Sequence, residues 1–164
     1  MMSLRPMAQA YRLGLLTGVF HKEDVVAWAD RIVAKYPAKD IPSSLLDISL
    51  ASKRTTGDIV QMLGEVQGEY DAGQATKIVL GELRRRYSTE LSSVGEITSK
   101  LYALANASGE LDISVFRDIM TVTEAYDLAV KRIVSMQQTL ALLDEFFAPY
   151  QKYENVLLES RSCS

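Results

Sequence analysis

The sequence has few of the residues that carry catalysis or cross-links, with one histidine, His21, and one cysteine, Cys163, among 164 residues. A disulfide needs two cysteines, and a Cys/His zinc site needs several such ligands close together. Neither can form within one chain. A hydrolase of the Ser-His-Asp or Cys-His type would need His21 as its base. Because helix-cap signals surround His21, we expect a structural role for it and no catalytic residue.

The chain also lacks a large excess of positive charge and a long apolar run. Its 18 basic and 21 acidic side chains give a net charge of −3, too balanced for the positive field that nucleic-acid binding needs. Its uncharged stretches are well short of the roughly 20 apolar residues that span a bilayer. We therefore expect neither a nucleic-acid nor a membrane partner. A lone cysteine fits a reducing compartment, which predicts a cytoplasmic location.

Glycine and proline are scarce, at nine and four residues, and hydrophobic residues make up 48% of the chain. This composition excludes disordered and collagen-like classes. The glycines stand singly and match neither of the common phosphate-binding glycine motifs. We therefore expect no cofactor.

Apolar residues recur at spacings of three and four along most of the chain, which is typical of α-helices. The length suits one domain. We predict a single all-α domain over residues 1–164, a compact bundle of about six to eight helices with a long C-terminal helix. Residues 160–164 are expected to form a loose tail. Trp28 should lie in the core beside Val25 and Ile32.

Residues with capping side chains mark several helix starts. His21 is flanked by apolar residues in the arrangement of a hydrophobic staple, and acidic residues follow it. The other expected caps are Thr55 or Thr56, and Ser88 or Thr89. The helix after Ser88 or Thr89 is expected to bury an apolar stripe that begins at Leu91.

The segment from Asp112 to Phe147 contains neither glycine nor proline. One helix of this length would be about 50 Å long, more than the width of a domain of this size. A break at Thr121 to Thr123, where β-branched residues crowd the helix, would let both halves join one core. An unbroken helix would leave apolar surface for a second copy, and two-fold dimers are the commonest oligomers. This segment therefore predicts a homodimer interface unless the helix breaks.

Two charged or glycine-containing patterns have structural interpretations. Arg84, Arg85 and Arg86 spread over about 200° of a helix, so Arg84 and Arg85 are expected in solvent and Arg86 at the edge of the core. An apolar-Gly-Glu-apolar pattern recurs at residues 63–66, 80–83 and 94–97. Because glycine weakens a helix, the pattern indicates either close approach of neighbouring helices or chance similarity among helices of like composition.

The candidate binding residues are Asp58, Glu65 and Glu69, which fall within about 40° of one another on a predicted helix that ends near Gly68. Such a row of carboxylates is either a solvated face or an acidic surface for a basic partner. Helical di-iron sites also need histidines at Glu-x-x-His spacing, and none occurs, so no metal site is expected. The alternative is a small-molecule- or metal-dependent helical enzyme that uses carboxylates such as Glu65 and Glu69.

Three segments, residues 13–20 (LGLLTGVF), 22–30 (KEDVVAWAD) and 46–51 (LDISLA), resemble the opening of small bacterial all-helical proteins. Some of these are immunity proteins, which neutralise a toxin by binding it. The resemblance implies a bacterial protein with a binding role, and it assigns no functional residue. Together with the missing catalytic groups, it predicts a non-enzymatic protein-binding module with a protein partner.

Overall fold

A computed structural model describes residues 4–71, 73–107, 109 and 111–157. These residues form an all-α bundle without strands, which confirms the predicted fold class. Residues 160–164, expected to be a loose tail, and Cys163 lie outside the described residues. The α-helices are α1 (Arg5–Thr17), α2 (Lys22–Lys35), α3 (Ser43–Ser49), α4 (Thr56–Gly64), α5 (Gln74–Ser88), α6 (Val94–Ala107), α7 (Ile113–Val130) and α8 (Met136–Phe147). Short 3-10 helices occupy Ala38–Asp40 and Ala148–Tyr153.

Helix α1 lies at the centre and packs against α4, α5 and α6. Along the chain, α2 packs on α3, α3 on α4, α6 on α7 and α7 on α8, while the C-terminal 3-10 helix lies against α5. Trp28 and Val25 are fully buried and Ile32 is nearly so, as predicted. The ring of Tyr11 packs against those of Phe20 and Trp28 with centroids 4.9 Å away in each case. None of the described helices is long and apolar enough to cross a bilayer.

Two of the predicted helix caps are confirmed and one is wrong. His21 is the N-cap of α2, where its backbone N–H donates to the Asp24 carboxylate at 2.8 Å. Thr55 caps α4, and its hydroxyl oxygen accepts from the Asp58 amide at 3.1 Å. The predicted cap at Ser88 or Thr89 is wrong, because both hydroxyls donate to the Arg85 carbonyl and so finish α5.

Helix α6 instead begins after Ser93, whose hydroxyl oxygen accepts from the Glu96 amide at 3.1 Å. Between the two helices, Glu90 adopts a left-handed conformation (φ 57°) that turns the chain. Leu91 therefore lies in this connection, and 64% of it is exposed. Its expected place in the buried stripe is wrong, and the stripe begins with Val94 and Ile97.

The segment 112–147 forms two helices separated at residues 131–135, and not at Thr121 to Thr123, the position considered from the sequence for a break. Arg132 adopts a left-handed conformation (φ 61°), and the Ile133 amide donates to the Leu128 carbonyl at 2.9 Å, which is a helix-ending motif. The two threonine hydroxyls donate to carbonyls four residues earlier, at 2.9 and 2.8 Å, within an unbroken helix. Helical or turn backbone then runs from Met136 to Leu157, which supplies the expected long C-terminal helix.

The glycine pattern marks close packing at two of its three positions. A Cβ atom on Gly81 would lie 2.7 Å from the carbonyl carbon of Tyr153, and one on Gly95 would lie 2.5 Å from the Tyr126 hydroxyl. Gly64 ends α4 and has only ordinary contact distances around it. The C-terminal 3-10 helix therefore approaches α5 at a distance that requires the absence of a side chain at Gly81.

A buried carboxylate organises the three consecutive arginines. Glu82 is 1% exposed and accepts hydrogen bonds from Arg85 at 2.7 and 3.0 Å and from Arg86 at 3.1 Å. Arg84 pairs with Glu154. The expectation that Arg84 and Arg85 point into solvent is wrong, because both are drawn to carboxylates and are largely covered. Arg86 lies at the core edge as predicted, with its guanidinium 5.5 Å from the Phe20 ring centroid.

Burial alone would raise the pKa of Glu82, but the hydrogen bonds and positive charges of Arg85 and Arg86 outweigh it and lower that pKa below its ordinary 4.5. A carboxylate with a lowered pKa in the folded state stabilises the fold above its unfolded-state pKa. That contribution is lost as the pH falls through the lower, folded-state value.

We predict that Glu82→Gln lowers the free energy of unfolding at pH 7 by about 1–3 kcal/mol, since two arginines lose a charged acceptor. The exposed Glu124→Gln, on α7, should change it by less than about 0.5 kcal/mol. Urea denaturation at several pH values measures both. The difference between wild type and Glu82→Gln should shrink as the pH falls below 4.5, and a difference independent of pH would contradict the role given to Glu82.

Candidate functional site

A groove of about 460 Å³ lies between α3, α4 and the connection that joins them. Most of its lining side chains are exposed, so the groove is a shallow surface feature. The lining residues are Asp47, Leu50, Ala51, Arg54, Asp58, Gln61, Met62 and Glu65. Of the three predicted binding residues, the structure brings Asp58 and Glu65 to this groove.

The cap of α4 fixes one wall of the groove. The Asp58 carboxylate accepts from the Thr55 amide at 3.4 Å, while Thr55 caps the helix in return. Lys22 Nζ donates to the Arg54 carbonyl at 3.2 Å and ties the connection between α3 and α4 to the start of α2. Local hydrogen bonds therefore hold the groove in shape without using the carboxylates of Asp47 or Glu65.

The groove is acidic, with three carboxylates against the single guanidinium of Arg54. Within the described part of the chain, Asp47 and Glu65 form no ion pair. Uncompensated carboxylates along one groove attract a basic group and orient its approach.

An apolar side chain stands among these charges. Leu50 is 84% exposed, and Met62 on α4 is half-buried beside it in the groove lining. Single exposed apolar residues are common on protein surfaces. An exposed apolar residue that is surrounded by carboxylates, however, offers a partner both apolar contact and charge. The arrangement is suited to binding and contains no nucleophile paired with a base.

The predicted row of three carboxylates on one helix is wrong for Glu69. Helix α4 ends at Gly64, so Glu65 is its C-terminal cap residue and Glu69 lies in the following connection. That connection is held toward α1, where Arg5 donates to the Gly68 carbonyl at 3.2 Å and lies over the Tyr70 ring. Glu69 does not line the groove.

Asp47, Leu50 and Arg54 were not identified as site residues from the sequence. Leu50 is apolar like Leu45 and Ile48, the two residues that α3 buries. At about 100° per residue, however, Leu50 points roughly 140° away from Leu45. This angle was the available signal that Leu50 faces solvent.

The described residues contain no group of three or more His, Cys, Asp or Glu side chains placed to hold a metal ion. No protein-family model, curated protein or solved structure matches this chain. The interpretation of the groove therefore depends on its own geometry and charge.

We predict that the groove carboxylates are dispensable for folding. Asp47→Asn and Glu65→Gln should each change the free energy of unfolding by less than about 0.5 kcal/mol, because neither loses an ion pair. Thr55→Ala, which removes the cap of α4, should lower it by about 1 kcal/mol. Thermal and urea denaturation give these values. A marked loss of stability in Glu65→Gln would show that its charge serves the fold and not a partner.

Proposed function

We propose that this protein is a non-enzymatic protein-binding module that engages a basic partner through the α3–α4 groove. The observation that carries the proposal is the set of carboxylates without ion-pair partners around the exposed Leu50. Complementary charge across an interface speeds association and selects the partner. The exposed leucine supplies apolar area that the partner can cover.

The shape of the groove favours a macromolecular partner over a small substrate. Pockets for small molecules bury most of the ligand surface and are lined mainly by apolar side chains. This groove is shallow, its lining is mostly exposed, and half of its lining residues are charged. A protein surface, which needs no enclosed cavity, matches these properties better.

A toxin in a bacterial cytoplasm is the specific partner that we propose. The resemblance of residues 13–20, 22–30 and 46–51 to small bacterial all-helical proteins, some of which are immunity proteins, supports this choice. An immunity protein acts by occupying its toxin, so it needs a complementary surface and no catalytic groups. The acidic groove meets that requirement for a toxin with a basic surface.

We predict that the double variant Asp47→Asn/Glu65→Gln binds its partner about tenfold more weakly, a loss of about 1.4 kcal/mol, because two steering charges are removed. The partner would be captured from native cells with the wild-type protein, identified, and its affinity measured by calorimetry. The control, Glu124→Gln/Asp127→Asn, makes the same charge change on exposed residues of α7 and should keep wild-type affinity.

Equal weakening by both double variants would assign the effect to net charge and contradict a role for the groove. The toxin hypothesis has its own test. Expression of the captured partner alone should stop bacterial growth, and co-expression of this protein should restore it. A harmless partner would contradict the toxin hypothesis while leaving the binding result intact.

We also propose that the protein forms a homodimer through the segment 112–147, at the connection between α7 and α8. The protruding helix that first suggested a dimer does not form, since α8 folds back onto α7. The break nevertheless leaves Val130, Ile133 and Met136 exposed by 57%, 67% and 37%. Exposed apolar side chains within one short connection favour an interface, and a two-fold axis would let each copy cover the other.

We predict that light scattering at micromolar concentration gives twice the 18.2 kDa chain mass for wild type and a single chain mass for Ile133→Glu. The control is Ile113→Glu, at the far end of α7 about 25 Å away, which should stay dimeric. Both isoleucines are more than 60% exposed, so neither change should disturb the core. A wild-type mass of one chain would contradict the dimer.

A further inference from the structure

A second cavity, of about 260 Å³, lies where α7, α8 and the C-terminal 3-10 helix meet. It is separate from the α3–α4 groove and shares no lining residue with it. Its lining combines aromatic, aliphatic and acidic side chains. These are Asp118, Thr121, Val122, Leu142, Glu145, Phe146, Pro149 and Tyr150.

Two aromatic rings form part of the wall. The ring centroids of Phe146 and Tyr150 lie 5.7 Å apart with planes tilted by 48°. Phe146 is nearly buried, and Tyr150 is half-buried. Pro149 at the start of the 3-10 helix fixes the backbone between them. Aromatic faces attract a cation through the negative charge at the centre of each ring.

Two carboxylates, one from each helix, line the same cavity. Neither Asp118 of α7 nor Glu145 of α8 forms an ion pair in the described part of the chain. Burial raises the pKa of Tyr150, and the nearby negative charge of Asp118 raises it further. The cavity combines rings and uncompensated carboxylates, which together favour a positively charged ligand.

We infer that this cavity binds an organic cation, an alkylammonium or guanidinium group, held by the rings of Phe146 and Tyr150 and by the carboxylates of Asp118 and Glu145. The volume is below the roughly 300–1,000 Å³ of pockets for drug-sized ligands, so the bound group is one basic side chain or one small cation. A metal ion fits the site less well, because the described residues provide no set of three ligands and the rings coordinate none.

The inference does not depend on the α3–α4 groove, because a different set of residues carries it. Weak, millimolar binding is expected for a single small cation at a partly open site, where each cation–π contact contributes about 0.5–1 kcal/mol. Its test is consequently a titration observed by NMR, in which weak binding is measured directly.

The probes are tetramethylammonium chloride, N-acetyl-lysine amide and N-acetyl-arginine amide, each titrated into the full-length protein, with sodium chloride as the ionic-strength control. We expect saturable shifts of the amide signals around Asp118 and Tyr150 with the organic cations and none with sodium. In Asp118→Asn/Glu145→Gln the affinity should fall at least tenfold. The control Asp127→Asn, an exposed residue of the same helix, should bind as wild type does.

Two further variants separate the ring from the hydroxyl. Tyr150→Phe keeps the aromatic face and should retain binding, whereas Tyr150→Leu should lose it. If Tyr150→Leu is destabilised, the carboxylate variants still decide the matter. Saturating cation should also lower the pKa of Tyr150, measured from its ring carbon signal, because the charge of Asp118 is then neutralised.

The source of the cation follows from the order of affinities. Tighter binding of the lysine or arginine amide identifies a basic side chain of another protein as the ligand, and tighter binding of tetramethylammonium identifies a free quaternary ammonium compound. Linear, unsaturated shifts with all three probes would overturn the inference, as would unchanged affinity in the double carboxylate variant.

Discussion

The buried carboxylate of Glu82 is the constraint on which the arrangement around α5 depends. An ionised group inside an apolar core is costly unless charged donors satisfy it. Arg85 and Arg86 supply those donors from the next turn of the same helix. Arg86 in turn covers Phe20, whose ring packs on Tyr11 in the central helix α1. The charge in α5 is thereby linked to the aromatic centre of the core.

The C-terminal part of the chain is fixed on the same helix. Arg84 pairs with Glu154, and Gly81 allows the backbone of Tyr153 to approach where a side chain would collide. These contacts hold the 3-10 helix Ala148–Tyr153 against α5. That helix also contributes a wall to the cavity between α7 and α8, so the geometry of the cavity depends on packing at α5.

The fold class and several helix starts were predictable because they depend on local sequence. Apolar residues three and four positions apart indicate a helix with one buried side, whatever that side packs against. The caps at His21 and Thr55 involve only neighbours three residues away. The break at Arg132 was not predictable in this way. Helix ends with a left-handed residue are usually marked in the sequence by glycine, and here the residue is an arginine. Its conformation depends on how α7 and α8 pack.

Part of the acidic groove was also predictable, because two of its carboxylates belong to the same stretch of chain. Asp58 and Glu65 are seven residues apart, so they share a helix side as long as the helix extends to Glu65. Glu69 required the helix to continue past Gly64, and the chain instead turns toward Arg5 and α1. The contribution of Asp47 comes from a different helix, and only the packing of α3 on α4 brings it there.

Both proposed binding regions contain carboxylates that no basic side chain among the described residues neutralises, and the distribution of charge along the chain explains why. The whole chain has a net charge of only −3, but three of its 18 basic side chains, Arg84 to Arg86, neutralise carboxylates on or beside α5. These three arginines and the two carboxylates that they pair with, Glu82 and Glu154, together carry one positive charge. The rest of the protein is therefore more negative than the net charge of −3 suggests. Uncompensated carboxylates remain where helices meet at the surface, in the α3–α4 groove and in the α7–α8 cavity. What separates the two regions is their apolar lining: an exposed leucine in the groove suits a broad protein surface, whereas paired aromatic rings in the cavity suit a single cation.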